Sequence, residues 1–241
     1  MTELLFQTDA YLKEFDGAVA AVNGDQVALD RTALYARGGG QPSDAGELRT
    51  AAGEVYRVLD SKKQGSDVWH KVDRPGLAAG VPVHGTVDWE RRHKLMRTHT
   101  ALHILCGVMF RDLGVSVTGG DMEPLAARMD FELERMSGDF AKMIEEKVNA
   151  EVAAGRDIRV RILPRDEAFQ IPDLIRTKIN LLPPDIQRVR VVEIVGLDLQ
   201  ADGGTHVANT REVGYIRVVG HESKGKINKR LRIAVQDASA G

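Results

Sequence analysis

The spacing of apolar positions changes character near residue 90. Before it, short alternating runs such as Val27-Ala28-Leu29 and Val55-Tyr56-Arg57-Val58-Leu59 are broken by Asn23-Gly24 and by further Gly, Asp and Pro. A period of two with frequent turn formers predicts short antiparallel strands, so residues 1–89 are expected to form a small β-barrel or sandwich. From Glu90 the spacing lengthens: Leu95, Met96, His99, Leu102, His103, Cys106 and Met109 fall at three- and four-residue steps, with Gly114 as the stop. That predicts one strong helix. A second is predicted after Ser137, with Phe140, Met143, Ile144, Lys147, Val148 and Val152 as its stripe and Gly155 as its end. The strand-like runs AARMDFEL, RDIRVRILP, RVRVVEI and GYIRVVGHESKGKINKRLRIAV lie around and after these helices. An α+β domain over residues 90–241 follows, its antiparallel strands covered by helices on one face.

Composition narrows the choice of function more than of fold. A chain of 241 residues that is 43% hydrophobic can build two ordinary domains. Its formal charge of -2 and pI near 6.4 exclude a generally cationic, nucleic-acid-coating protein and confine any such contact to a local patch. The single cysteine, Cys106, rules out an intramolecular disulfide framework, and the N-terminus has neither a basic region nor a long apolar one. A cytoplasmic location is therefore expected. The longest apolar run, TALHILCGVMF, is well short of the roughly 20 residues needed to span a bilayer.

His99 and His103, four apart on a predicted helix, project from one face about 6 Å apart along the axis, close enough to share one metal ion. Alone, such a pair reads equally well as two ordinary histidines. DGGTH changes that, because Asp202 and His206 are again four apart and Gly203-Gly204 lets a non-helical backbone curl until both side chains face inward. Cys106 lies about 10 Å of helix rise from His99, too far to share that ion, and is expected in the core. A zinc-protease motif is excluded, since Thr100 stands where H-E-x-x-H has its glutamate.

With RTHTALHIL, GGTHVANTREVG, ARGGGQPSDAG and SKGKINKRLRI all present, the chain resembles the editing domain of alanyl-tRNA synthetase and its freestanding relatives, the AlaX trans-editing proteins, in their medium-length form. The resemblance implies a small N-terminal β-barrel and a two-layer α/β editing domain shared with threonyl-tRNA synthetase. It implies hydrolysis of the ester joining a wrong amino acid, chiefly serine and also glycine, to the end of alanine tRNA. His99, His103, Asp202 and His206 match the family's metal-binding positions, and Asp202 stands where the family pattern has cysteine. Zinc is the expected ion. The carboxylate also suits harder divalent ions, and Asp202 can serve either as the fourth ligand or as the group that orients a water on a three-histidine site.

Gln41 matches the family glutamine that reaches the editing site, with Gly39 and Gly40 allowing close backbone approach. Rejecting alanine while cutting serine calls for a hydrogen bond to the extra hydroxyl. Thr118 is the family-like candidate for it and Thr205, beside His206, its competitor. Lys224, Lys226 and Arg230 are candidates for contacts to the tRNA acceptor end. Gly220 to Ile227 imitates a phosphate-binding loop but has Ile where the magnesium-binding hydroxyl belongs, so no ATP site is expected. A non-catalytic tRNA-binding protein with a structural metal is the rival from another class, and a deacylase of another mischarged tRNA is the nearer rival. The oligomeric state is not legible in the sequence.

Overall fold

The computed structural model describes residues 1–177 and 186–238, which divide into two compact units, Met1–Lys94 and Leu95–Gly241.

In the first unit, β1 (Glu3–Leu4) pairs in parallel with β4 (Arg31–Thr32). The other strands are β2 (Glu14–Asn23), β3 (Gln26–Leu29), β5 (Gly46–Thr50), β6 (Val55–Gln64), β7 (Asp67–Val72) and β8 (Pro82–Val87). They close into a barrel in the order β2-β3-β7-β6-β5-β8, with every neighbouring pair antiparallel. Of the two architectures expected for this half, the barrel is the one that forms. Gly24-Asp25 makes the turn of the β2–β3 hairpin between paired Asn23 and Gln26, with Gly24 at φ 62°.

Alternation sets the barrel core. Tyr56 and Val58 point inward while Leu59 is 57% exposed, and on β8 Val83, Gly85 and Val87 alternate with exposed Pro82, His84 and Thr86. Side chains buried in this way stabilise by about 1.5–3 kcal/mol each. Gly85 is required by packing: a Cβ there would lie 2.2 Å from Phe15 Cε1, inside the ring that fills the barrel. Arg92 and Asp44 form a fully buried ion pair in this unit. Arg92 Nη1 donates to Ala10 O at 2.9 Å and Nη2 to Ala33 O at 2.5 Å, while Asp44 Oδ2 accepts from Tyr35 N at 2.6 Å.

Helix α1 spans Trp89–Leu113 and ends as expected, with Gly114 at φ 65°. It departs from the expected stripe in one respect: every residue from Leu95 to Met109 is buried, including Ala101, Ile104, Leu105 and Val108. The helix is therefore an interior one, and its polar side chains must find partners there.

In the second unit follow β9 (Val117–Glu123), β10 (Ala126–Phe131), α2 (Gly138–Ala154), β11 (Ile158–Pro164), α3 (Arg165–Ala168), β12 (Arg188–Ile194), β13 (Asp198–Ala201), β14 (Tyr215–Gly225) and β15 (Asn228–Gln236). They make two antiparallel sheets, ordered β14-β15-β10-β9 and β11-β12-β13, so the α+β class holds. The Ser137 hydroxyl caps α2 by accepting from Phe140 N at 3.1 Å, and Gly155 at φ 65° closes it. The buried stripe of α2 is Ala141, Ile144, Val148, Glu151 and Val152, rotated from the expected one, and Met143 is 38% exposed. The rotation has a cause in Glu151, which is held on that side by ion pairs with Arg111 and Arg156. Among the described residues, no helix is long and apolar enough to cross a membrane.

Candidate metal centre

One turn of α1 separates His99 from His103, and their ring centroids are 5.1 Å apart. His206 comes from the loop after β13, its ring 4.3 Å from that of His99 and 4.6 Å from that of His103. Asp202 starts the same loop, with Oδ2 2.9 Å from His206 Nε2 and Oδ1 3.6 Å from His99 Nε2. One ligand atom from each of the four residues lies within 4.8 Å of all the others. Tetrahedral ligands at ordinary zinc distances are separated by roughly 3.4 Å, so this donor set, three imidazoles and a carboxylate, fits a divalent ion after small side-chain shifts.

The loop is shaped for this convergence. Gly204 N donates to Asp202 Oδ2 at 2.9 Å, while Arg190 Nη1 donates to the carbonyls of Asp202 and Gly204 at 3.0 and 2.8 Å. The same guanidinium nitrogen is 3.7 Å from Asp202 Oδ2, a cation that offsets the charge of a mostly buried carboxylate.

Neutral imidazole is the form that ligates, and burial favours it. Burial lowers His206 to about 4 and His99 well below its ordinary value. His103 is different: burial also pushes it down, but the hydrogen bond to Asp198 and the charge of that carboxylate outweigh burial, and its pKa is raised. The outer nitrogens are bound too, His103 Nδ1 to Asp198 Oδ2 and His206 Nδ1 to Thr100 Oγ1, each at 3.1 Å. With a proton on each Nδ1, the Nε2 lone pairs are left for the centre.

The remaining candidate residues are distributed more widely. Gly38 to Gln41 forms a two-residue hairpin turn closed by Gly38 N to Gln41 O at 3.1 Å and Gln41 N to Gly38 O at 2.9 Å. Gly39 and Gly40 occupy its central positions at φ 57° and 85°, so their lack of a side chain is required by the turn itself. Gln41 is buried, unlike the exposed glycines before it. Thr205 is fully buried beside His206, whereas Thr118 is exposed on β9 and donates to Asn228 Oδ1 at 2.8 Å. Lys224 and Lys226 are exposed at the β14–β15 turn. Arg230 is engaged with both oxygens of Asp130 at 2.6 and 2.8 Å and with Glu222 at 3.5 Å. Gly220 to Ile227 runs along β14 into that turn rather than into a helix.

Sequence reasoning missed Asp198, Thr100 and Arg190. Thr100 stood next to His99, and Asp198 begins the strand leading to Asp202, but neither carries a motif of its own.

Two family models match the chain: one described as tRNA synthetases class II (A), over residues 6–91, and one as threonyl and alanyl tRNA synthetase second additional domain, over residues 189–232. Alanyl-tRNA editing protein AlaX-M of Saccharolobus solfataricus is 40% identical across 98% of this chain and 100% of its own length. AlaX-M of Methanosarcina barkeri is 37% identical over the same shares of the two chains. The alanine–tRNA ligase of Ignicoccus hospitalis is 39% identical over 90% of this chain but only 24% of the ligase. Full-length identity at this level shows that the chain belongs to the AlaX-M family of alanyl-tRNA editing proteins.

Proposed function

We propose that the chain is a trans-editing hydrolase that cleaves the ester between serine, or glycine, and the acceptor end of alanine tRNA, in the cytoplasm. The observation that carries this reading is the convergence of His99, His103, Asp202 and His206, within 4.8 Å of one another, in a chain that matches AlaX-M proteins along their whole length. Zn2+ is the proposed ion; when bound, an ion of this kind polarises an ester carbonyl or makes a water more acidic.

The three histidines hold the ion; burial keeps His99 and His206 neutral, whereas His103, its pKa raised by Asp198, is the one that takes up a proton most readily. Asp202 either completes the ligand set or keeps Oδ1 for the proton of the attacking water; its side chain is 14% exposed, against 2–8% for the three histidines. Because an aminoacyl ester is already reactive, positioning accounts for much of the remaining work. Gln41 and the Gly39-Gly40 turn are the proposed contribution of residues 1–89 to substrate binding. Thr205 is favoured over Thr118 as the sensor of the serine hydroxyl, since Thr205 is buried next to His206 in the chain whereas Thr118 is exposed on β9. Lys224 and Lys226 are the proposed phosphate contacts, whereas Arg230 serves the sheet through Asp130.

A structural metal in a non-catalytic tRNA-binding protein is the second reading, and one observation favours it: four candidate donors converge within 4.8 Å, the number that would close a tetrahedral centre. Incubating the protein with seryl- and alanyl-charged alanine tRNA separates the two. Serine is expected to be released while the alanyl ester survives; seryl ester that lasts as long as in buffer would overturn the hydrolase.

A further inference from the structure

Behind the metal centre lies a buried cluster of which only the bond between His103 and Asp198 has been used so far. Asp198, at the start of β13, has a fully buried side chain whose Oδ2 lies 3.1 Å from His103 Nδ1 and accepts from Gln200 Nε2 at 2.7 Å. Its Oδ1 faces Arg176 Nε at 3.6 Å, and the Arg176 guanidinium lies over the Phe110 ring, 3.6 Å from the centroid. Among the described residues, Asp198 Oδ1 and Arg176 Nε and Nη1 are buried without a hydrogen-bond partner. Packing alone does not call for such a pair, because apolar side chains of similar volume fill the same space at least as well.

The helix is also cut away to admit this carboxylate. Gly107 stands inside α1, where glycine is among the poorest helix formers. A Cβ at 107 would lie 2.9 Å from Leu197 Cγ and 3.0 Å from Asp198 Cβ. Glycine here therefore lets the start of β13 come against the helix one turn beyond His103.

We propose that Asp198 is a positioning residue for the metal centre: it accepts the Nδ1 proton of His103, turns that ring so that Nε2 faces His99, Asp202 and His206, and is itself held by Gln200 and Arg176. The inference rests on the metal reading of the preceding subsection. Asp198 touches neither ion nor substrate, and acts by fixing the tautomer and raising the basicity of one ligand.

The test is zinc affinity of the full chain, measured by competition with a chromophoric chelator, together with the visible spectrum of the Co2+-loaded protein. Asp198→Asn is expected to weaken zinc binding about 10- to 100-fold and to shift the cobalt bands. Since that variant leaves Arg176 buried beside a neutral group, the double variant Asp198→Asn/Arg176→Gln removes both charges; the same loss is expected from a chain that keeps the wild-type circular dichroism. Wild-type affinity and an unchanged cobalt spectrum in either folded variant would overturn the inference while leaving the metal centre intact. A wild-type chain that takes up no ion would overturn the metal reading, and this inference with it.

Discussion

His70 in the barrel and His206 in the second unit are both buried, and burial lowers both to about 4. By burial and protonation they are the same kind of residue. Their neighbours separate them: among the described residues, His70 Nδ1 meets the Ser61 hydroxyl at 2.7 Å and its Nε2 has no hydrogen-bond partner, whereas His206 lies within ligand distance of two further imidazoles and a carboxylate. Two of the Asp–Arg pairs differ as well. Asp44 and Arg92 are bonded to each other and to backbone on both sides, while among the described residues Asp198 and Arg176 leave three polar atoms unsatisfied and Asp198 bonds His103. Burial alone therefore does not mark a site; the convergence of several ligand-capable groups marks the place where chemistry is arranged.

This contrast can be broken most forcefully at Arg92. Arg92→Met strands the Asp44 carboxylate in the barrel and is expected to cost about 3–5 kcal/mol of stability, measured by urea unfolding, with zinc uptake per folded molecule unchanged. Unchanged stability would mean that the saturated pair is not the structural element described here.

A slightly smaller effect is expected from pH. His70 has a folded pKa of about 4 against an ordinary 6.5, so the unfolded chain binds the extra proton between these values. Stability is then fully present above about pH 6.5 and is lost as pH falls towards 4, by about 3 kcal/mol in all. The pair variant Ser61→Ala/His70→Leu, which leaves neither partner stranded, should lack that component; the comparison is the difference in unfolding free energy between wild type and variant at pH 7 and pH 4.5. Parallel pH profiles would show that His70 is not held neutral.

Much of the architecture was legible because it rests on local periodicity. The alternating runs of the first half became a closed barrel, and α1 ended at Gly114. Strand β9 was not legible, since Val-Thr-Gly-Gly-Asp-Met-Glu has few strand-forming residues and owes its pairing to β10. The stripe of α2 was read with Met143 inside, whereas Glu151 takes a buried place through Arg156, just past the end of the helix, and Arg111, 40 positions earlier in the chain.

At the site, H-x-x-x-H and D-G-G-T-H were legible because each places two candidate ligands at a fixed local spacing. Cys106 is buried as expected, its thiol pushed up by burial, and is not among the four grouped ligands. Asp198 was invisible because its contact with His103 spans 95 positions and depends on a glycine in the middle of a helix. Long-range partners of this kind leave no periodic trace.

The central claim is that His99, His103, Asp202 and His206 hold an ion that deacylation requires. It is tested most directly by metal analysis of the purified full chain, with seryl-tRNA(Ala) deacylation followed before chelation, after it, and after Zn2+ is restored. The account predicts one ion per chain, loss of deacylation on chelation with the fold retained, and recovery on adding Zn2+ to wild type but not to His206→Ala. Undiminished deacylation by the metal-free chain would contradict it.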